Sequence, residues 1–466
     1  MYLYGHKQRY IRTVITFNKR VLLFGFGSIG RSLYSIMHNE IKFDFNNFFV
    51  LDENDIYIEE FVKLGGLREN FIKKQVTREN YAEIFASLLK PGDLLIDLSA
   101  NTGSTLFVGW CAENNVCLIN SGDSDWDDSR WRTLKEHYNE QAELIEKLGD
   151  AITAPIVIQH GMNPGLVSHF AIEALIYVTE TQKSDDAVAQ EMLAKKDFAH
   201  LAEHLGVRTI QISENDLQTV DIPNPDPDCL YNTWSPLSLF EENFAPAEFM
   251  AGTNESSATI PDLKELDGDR FALMNKTGFE ALCKSWCPNG SFSGGTVQHD
   301  EATSIQKFLS VYNQDTIRYA PTVMFVYRPL AIAREYMEDF SRHNHGERQP
   351  KRTKVVYEEL TGGIQYVGVF VIGEKFKPVW VGNAITLADA LKWGPMNVPT
   401  ILQVSAGVLG ALCWIMKNQE RGKILYPEFL DHRFILDVAE KYITKTKYIT
   451  VEDWPFGFSM ISLLEL

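Results

Sequence analysis

Three glycines, Gly25, Gly27 and Gly30, stand in the spacing G-x-G-x-x-G within "RVLLFGFGSIGRSL", directly after four apolar residues. That spacing suits dinucleotide binding. Gly25 permits a tight turn, Gly27 lets the backbone approach a pyrophosphate, and Gly30 lets the following helix pack close to the strand. The helix start at Ser28 and Ile29 offers unpaired N–H groups to phosphate oxygens. Asp52 ends the next apolar run, "NFFVLD", and its neighbour is Glu53 rather than an arginine. A carboxylate there accepts hydrogen bonds from both ribose hydroxyls and repels a 2′-phosphate, so NAD is expected over NADP. The plainer alternative is a structural glycine turn that holds nothing. "DLSANTGS" leaves a later apolar run. Ser99 and Asn101 in it are expected to reach the ribose or nicotinamide, with helix capping by Asn101 or Thr102 as the alternative.

Other chemistries find little support. The six cysteines form no CxxC pair. Cys283 and Cys287 have neither a second pair nor nearby histidines, and there is no HExxH, so no metal is expected. A net charge of −18 argues against a nucleic-acid partner. It serves solubility or attracts a cationic substrate. The basic stretch "RHNHGERQPKRTK" reads as a solvated loop. The first twenty residues are polar and basic without an apolar leader core, and no run of about 20 apolar residues suggests a membrane span. The expected location is cytoplasmic, with reduced thiols and no membrane partner.

The elements that must position these residues follow an alternating pattern. Residues 1–160 alternate apolar strands with helices of about 10–15 residues, the mark of a Rossmann-type doubly wound parallel sheet. Helices are expected over 28–39, 56–65, from Thr77 to a Pro91–Gly92 stop, and over 129–148. Near "HGMNPG" a strand turns into a helix, with Pro164 in its first turn and Asn163 as its cap. Beyond Gly206 come strands with long excursions, "VRTIQISENDLQTV", "CLYNTWS", "SFSGGTVQHDEATS", "TVMFVYRPL" and "GGIQYVGVFVIG", implying a second, α+β domain. The domains expected are 1–160 for NAD, joined by a C-terminal helical region 395–466, and 161–394 for substrate and dimerisation. The small residues of the helix at 400–418 suit close packing onto the first domain.

"GFGSIGR", "KQVTRENY", "MNPGLVS", "ISENDLQ", "NTWS" and "QHDE" together resemble bacterial homospermidine synthase from about residue 20 to residue 418. More distantly, the layout is similar to saccharopine dehydrogenase and carboxynorspermidine synthase. The resemblance implies a homodimer with tightly held NAD⁺ that makes homospermidine from two putrescines and releases ammonia, with spermidine as a second aminobutyl donor. Hydride leaves an amine-bearing carbon, a second amine displaces ammonia from the imine, and the hydride returns. The enzyme is then a transferase with no net redox change. An imine reductase of the saccharopine or carboxynorspermidine type remains open, as does a non-catalytic NAD sensor. A carboxylated substrate requires arginine or lysine at the site, whereas the matching motifs here are acidic.

A diamine is dicationic at neutral pH, so a base must neutralise one amine before hydride leaves, and the other ammonium must be held. In the matching motifs, Glu214 is expected at the inner amine and Trp234 at the reacting carbon. His299 and Glu301 are expected to move protons. Asn163 is expected to orient the amine beside the cofactor. The bland alternatives are a surface acid for Glu214, core packing for Trp234, a structural histidine and a helix cap. Glu242, Asp123 and Asp125 are further acids for a substrate path. Pro236 and Leu237 stand just after Trp234, where the resemblance implies more acids, and leave that path open.

Overall fold

A computed structural model describes residues 14–465, except 101, 123–125, 127–132, 150–151, 259, 261–262, 267–268 and 344–348. Asn101, Asp123 and Asp125 lie outside the described residues.

Six apolar runs of the first third, joined by Ile424–Leu425, form a seven-stranded parallel sheet. Its order is Ile424–Leu425, Ile156–Val157, Cys117–Asn120, Leu94–Asp97, Val21–Phe24, Phe48–Asp52, Phe71–Lys73. The central strands are buried on both faces, as parallel strands covered by helices must be. Strand order reverses beside Val21–Phe24, whose neighbours are Phe48–Asp52 and Leu94–Asp97. Ligands in such sheets bind at the carboxyl ends of the strands, at this switch point.

The second sheet is mixed and has ten strands. Its central strand, Val207–Val220, pairs parallel with Thr322–Arg328 and antiparallel with Leu360–Gly373. The hairpin Leu282–Cys287 and Gly290–Val297 attaches to the outer side of Thr322–Arg328. One apolar core is continuous between the two halves: Leu33 of the first helix, Phe170 of helix Leu166–Gln182 and Ile212 of the second sheet all belong to it.

The C-terminal region joins both sheets rather than the first alone. Ile424–Leu425 is an edge strand of the parallel sheet, while Lys447–Thr450 pairs with Val379–Thr386 at the edge of the mixed one. Between the halves lies helix Pro399–Lys417. A Cβ on its Gly407 would stand 1.9 Å from the Gly161 carbonyl oxygen, so only glycine permits this approach. Asn397, just before it, accepts a hydrogen bond from Ser32 Oγ at 2.5 Å. By length and composition this helix is apolar enough to cross a membrane, yet 94% of its apolar window is buried inside the protein.

Several local expectations shift. The long helix before residue 150 is described over Leu134–Leu148, capped by Thr133 in a capping box with Glu136. The helix expected from Thr77 begins at Tyr81, because the Asn80 side chain accepts from Thr77 N and holds residues 77–80 in a turn. Asn163 does not cap the next helix. Gly165 occupies the N-cap, and a positive φ of 130° there ends the turn. "SFSGGTVQHDEATS" is strand only to Val297, and Glu301 begins helix Glu301–Leu309.

Candidate active site

The glycine turn follows Val21–Phe24 and opens helix Ser28–Met37. The three glycines have separable reasons. A Cβ on Gly25, at φ +90°, would meet Leu98 O at 2.6 Å, and one on Gly30 would meet Gly25 O at 2.2 Å. Those two fix the fold of the turn. A Cβ on Gly27 meets nothing within 4 Å, so this glycine borders open space. The helix that follows has Gly27 as N-cap and no side-chain cap, which leaves the N–H groups around Ser28 and Ile29 for an anion. Asp52 ends its strand beside the turn: Oδ2 accepts from Phe26 N at 2.7 Å and Oδ1 from Asn54 N at 2.8 Å. Ser99 lies across the switch point, its hydroxyl held by Asp97 Oδ1 at 2.5 Å and Thr102 Oγ1 at 2.6 Å. Open space at Gly27, bare helix N–H groups and a carboxylate at the neighbouring strand end fit a dinucleotide.

The acids sit on the mixed sheet. Along Val207–Val220, alternate residues Ile210, Ile212, Glu214, Asp216 and Gln218 share one face. It changes from apolar to acidic where the strand leaves the core. The opposite face is tied to the outer hairpin, with Gln211 Nε2 donating to Lys284 O at 3.0 Å and Ser213 Oγ to Trp286 O at 2.7 Å. Glu214 is 4% exposed. Its two oxygens each accept one amide: Asn163 Nδ2 on Oε2 at 2.9 Å and Gln365 Nε2 on Oε1 at 2.8 Å. Burial dominates, and pushes the Glu214 carboxyl up to about 8 despite those donors. Asp216, two residues on, is raised by burial to about 6.

The register places Tyr327 opposite Glu214. Its hydroxyl accepts a hydrogen bond from Trp234 Nε1 at 3.2 Å, and its ring stacks on Phe325 with centroids 5.3 Å apart. Phe325 in turn meets the His299 ring at 4.8 Å. His299 occupies the strand-to-helix turn, with Nδ1 hydrogen-bonded to Glu301 Oε2. Burial alone would lower this imidazole, but the carboxylates of Glu301, Glu242 and Asp300 outweigh it and hold the histidine at about 9. Glu242 is raised to about 7 by burial, against His299 and with Glu301 and Asp300. It lies on helix Pro236–Phe244, with Pro236 in the first turn and Ser235 as cap. Pro236 and Leu237 therefore start a helix directly after Trp234, and that helix returns Glu242 to the group.

Two hydrogen bonds join this acidic face to the carboxyl edge of the parallel sheet. One is Asn163 to Glu214. The other runs from Gln159 Nε2 to Asp300 Oδ2 at 2.9 Å, just past strand Ile156–Val157. Asn163, Glu214, Trp234, Glu242, His299 and Glu301 thus form one connected group past the carboxyl end of strand Ile156–Val157, in which Asn163 serves a carboxylate rather than a helix end. Sequence reasoning missed Asp216, Tyr327 and Gln365. Asp216 was open to the same alternation that singles out Glu214. Tyr327 and Gln365 owe their places to strand pairing, which leaves no local signal.

Behind the site, His160 Nε2 and His169 Nε2 lie 2.9 Å apart in full burial. Desolvation holds His160 down at about 3 and pushes His169 well below the usual histidine value, so the pair is neutral and structural.

Residues 21–154 match the saccharopine dehydrogenase NADP binding domain. Homospermidine synthase of Mesorhizobium japonicum is 30% identical over 448 residues, spanning 93% of this chain and 90% of that protein. Homospermidine synthase of Blastochloris viridis is 28% identical over 437 residues, spanning 91% and 89%. The crystal structure of the homospermidine synthase of Legionella pneumophila, in complex with NAD, aligns with a TM-score of 0.85 at 26% identity, covering 97% of this chain and 98% of that one.

Proposed function

The chain belongs to the homospermidine synthase family, and we propose that it joins two putrescines, or spermidine and putrescine, into homospermidine by NAD-dependent aminobutyl transfer. The observation that carries this is the buried set of carboxylates, with one imidazole and one indole, tied by Asn163 to the carboxyl edge of a dinucleotide-binding sheet. Around Glu214 the polar neighbours are two amides, an acid and a histidine. That is a site for cations, not for the carboxylate of a saccharopine-type substrate.

NAD, when bound, accepts a hydride and later returns it. Gly27 and the helix start around Ser28 and Ile29 would hold its phosphates, and Asp52 would hold the ribose. The cofactor domain's family is described by NADP, but a carboxylate at this strand end disfavours a 2′-phosphate. Ser99 and Asn163 are the residues that would hold its nicotinamide end.

The remaining work belongs to side chains. An empty Glu214 carboxyl holds a proton at neutral pH, and an arriving dication displaces it. The resulting carboxylate takes a proton from the inner ammonium and frees the amine for hydride loss. Glu242 and Asp216 hold the distal ammonium. Trp234 presents its face to the iminium carbon, worth about 0.5–2 kcal/mol, the upper end when water is excluded. His299, charged at neutral pH and oriented by Glu301, gives a proton to the departing ammonia and recovers one from the attacking amine.

A cytoplasmic homodimer is part of this proposal. Six buried thiols without a disulfide support a reducing compartment, and size-exclusion chromatography with light scattering reads the oligomer. The decisive experiment incubates purified protein with putrescine and catalytic NAD⁺. Homospermidine and ammonia should form over many turnovers while absorbance at 340 nm stays flat. Stoichiometric NADH would sink the transfer reading.

A further inference from the structure

Behind Glu214 lies a second layer of hydrogen bonds that no catalytic step above uses. Gln365, 1% exposed, faces Glu214 through its amide nitrogen. Its carbonyl oxygen accepts from Thr400 Oγ1 at 2.7 Å. Thr400 is in the first turn of helix Pro399–Lys417, which lies between the two halves of the molecule. Its hydroxyl also receives Gln218 Nε2 at 3.3 Å and lies 3.0 Å from Thr233 Oγ1.

A glutamine amide can sit either way round. Turned over, Gln365 would point its carbonyl oxygen at a carboxylate and its NH₂ at Thr400. The hydroxyl of Thr400 has one proton, and in the observed arrangement that proton goes to Gln365 Oε1. Gln218 fills an acceptor position on the same oxygen. The layer is buried throughout, so water does not stand in for a lost partner.

We infer that Thr400 is a positioning residue: its hydroxyl fixes the Gln365 amide in the one orientation that donates an N–H to Glu214. The inference rests on the proposed role of Glu214. Removing the proton from Thr400 frees the amide, Glu214 loses a donor to its charged form, and the carboxyl rises. The groups facing Glu214 are Asp216 on the same strand, Tyr327 on the paired strand, and His299. Of these, Asp216 is linked to Thr400 through Gln218 and Thr233, which bond both, so Gln365→Met, which leaves those bonds in place, isolates the effect of the amide.

Thr400→Val keeps the shape and removes the hydroxyl, whereas Thr400→Ser keeps the hydroxyl. The NAD-loaded protein is tested with putrescine for the pH dependence of kcat/KM. In Thr400→Val the acid limb should move up by about one pH unit, narrowing the profile against an unmoved alkaline limb set by His299 at about 9. Thr400→Ser should restore the limb. Gln365→Met, which has no amide, should reproduce the shift. In parallel, the Glu214 carboxyl is titrated by NMR on protein carrying carbon-13 glutamate, its signal assigned by its absence in Glu214→Gln. It should rise by the same amount in Thr400→Val. A limb and a titration that stay in place, with turnover merely lower at every pH, would overturn the inference. Failure of the parental protein to make homospermidine would instead strike the proposed function, and the NMR titration would then decide the role of Thr400 by itself. Should the Thr400→Val chain not fold, Gln365→Met decides it: an unmoved limb and titration in that variant overturn the inference equally.

Discussion

The two halves of the site are built in opposite ways. The cofactor half is made of backbone: a glycine turn, bare helix N–H groups, and one carboxylate at the next strand end, all between residues 21 and 52. The proposed substrate half is made of side chains drawn from three paired strands, three strand-to-helix turns and three helices, between residues 163 and 400. A phosphate needs only a space and donors, and a short stretch of chain supplies both. A cation that changes its charge during reaction needs acids whose protonation is tuned. Tuning requires burial and neighbours, and these come only from distant segments.

Variants test that contrast. The largest effect is expected from Gly27→Val. Its Cβ points into open space, so the chain should fold while bound NAD, read by absorbance and chromatography of the released nucleotide, disappears together with activity. Gly30→Ala should instead cost the soluble fold, since its Cβ would stand 2.2 Å from Gly25 O. If both variants fold and both lose NAD, the division between a fold glycine and a ligand glycine is wrong.

Next comes Glu214→Gln, for which turnover should fall about 100-fold or more with NAD content unchanged. Near-parental homospermidine formation would remove Glu214 from the chemistry. Asp52→Ala should lower the preference for NAD over NADP about tenfold, measured by competitive loading of the stripped protein. An unchanged ratio would free Asp52 from the ribose role. Trp234→Phe should slow turnover only a few-fold, because phenylalanine keeps a weaker aromatic face, whereas Trp234→Glu should be far slower by fixing a charge beside the cation.

The smallest effect concerns stability. Glu214, Asp216 and Glu242 are all raised in the folded state, to about 8, 6 and 7, and His299 to about 9. Each binds more protons folded than unfolded, so each contribution is full below the ordinary value of its group and lost as pH rises through the folded value. The empty protein should therefore lose roughly 2–4 °C of Tm between about pH 6 and 9. Putrescine should flatten that slope and release protons on binding, as calorimetry in two buffers would show. A Tm that rises over this interval would contradict the buried state of these acids.

The parallel sheet is legible in the sequence because its signals are local: continuous apolar runs, glycine spacing, and turn residues between them. Glu214 and Trp234 are legible as residues, through motifs, but their partners are not. Nothing near Tyr327 in the sequence announces that it faces Glu214, since a parallel register joins residues more than a hundred positions apart. Asn163 misleads for a related reason. Beside a proline it reads as a cap, yet Gly165 ends the turn and frees its amide to reach another sheet. His299 reads as one of a run of strand residues, because the helix that starts at Glu301 follows a strand with only three residues between.

The path of the last residues has a consequence for how the molecule comes into being. Ile424–Leu425 completes the edge of one sheet and Lys447–Thr450 the edge of the other. A chain emerging from the ribosome therefore cannot finish its first half until most of its second has been made. Until the segment from Lys447 onward is released, Val379–Thr386 has an open edge, and until Ile424 emerges so does Ile156–Val157. Both sheets are completed late, and premature termination anywhere before Lys447 leaves Val379–Thr386 without its neighbour, an unpaired edge to seek a partner in another chain.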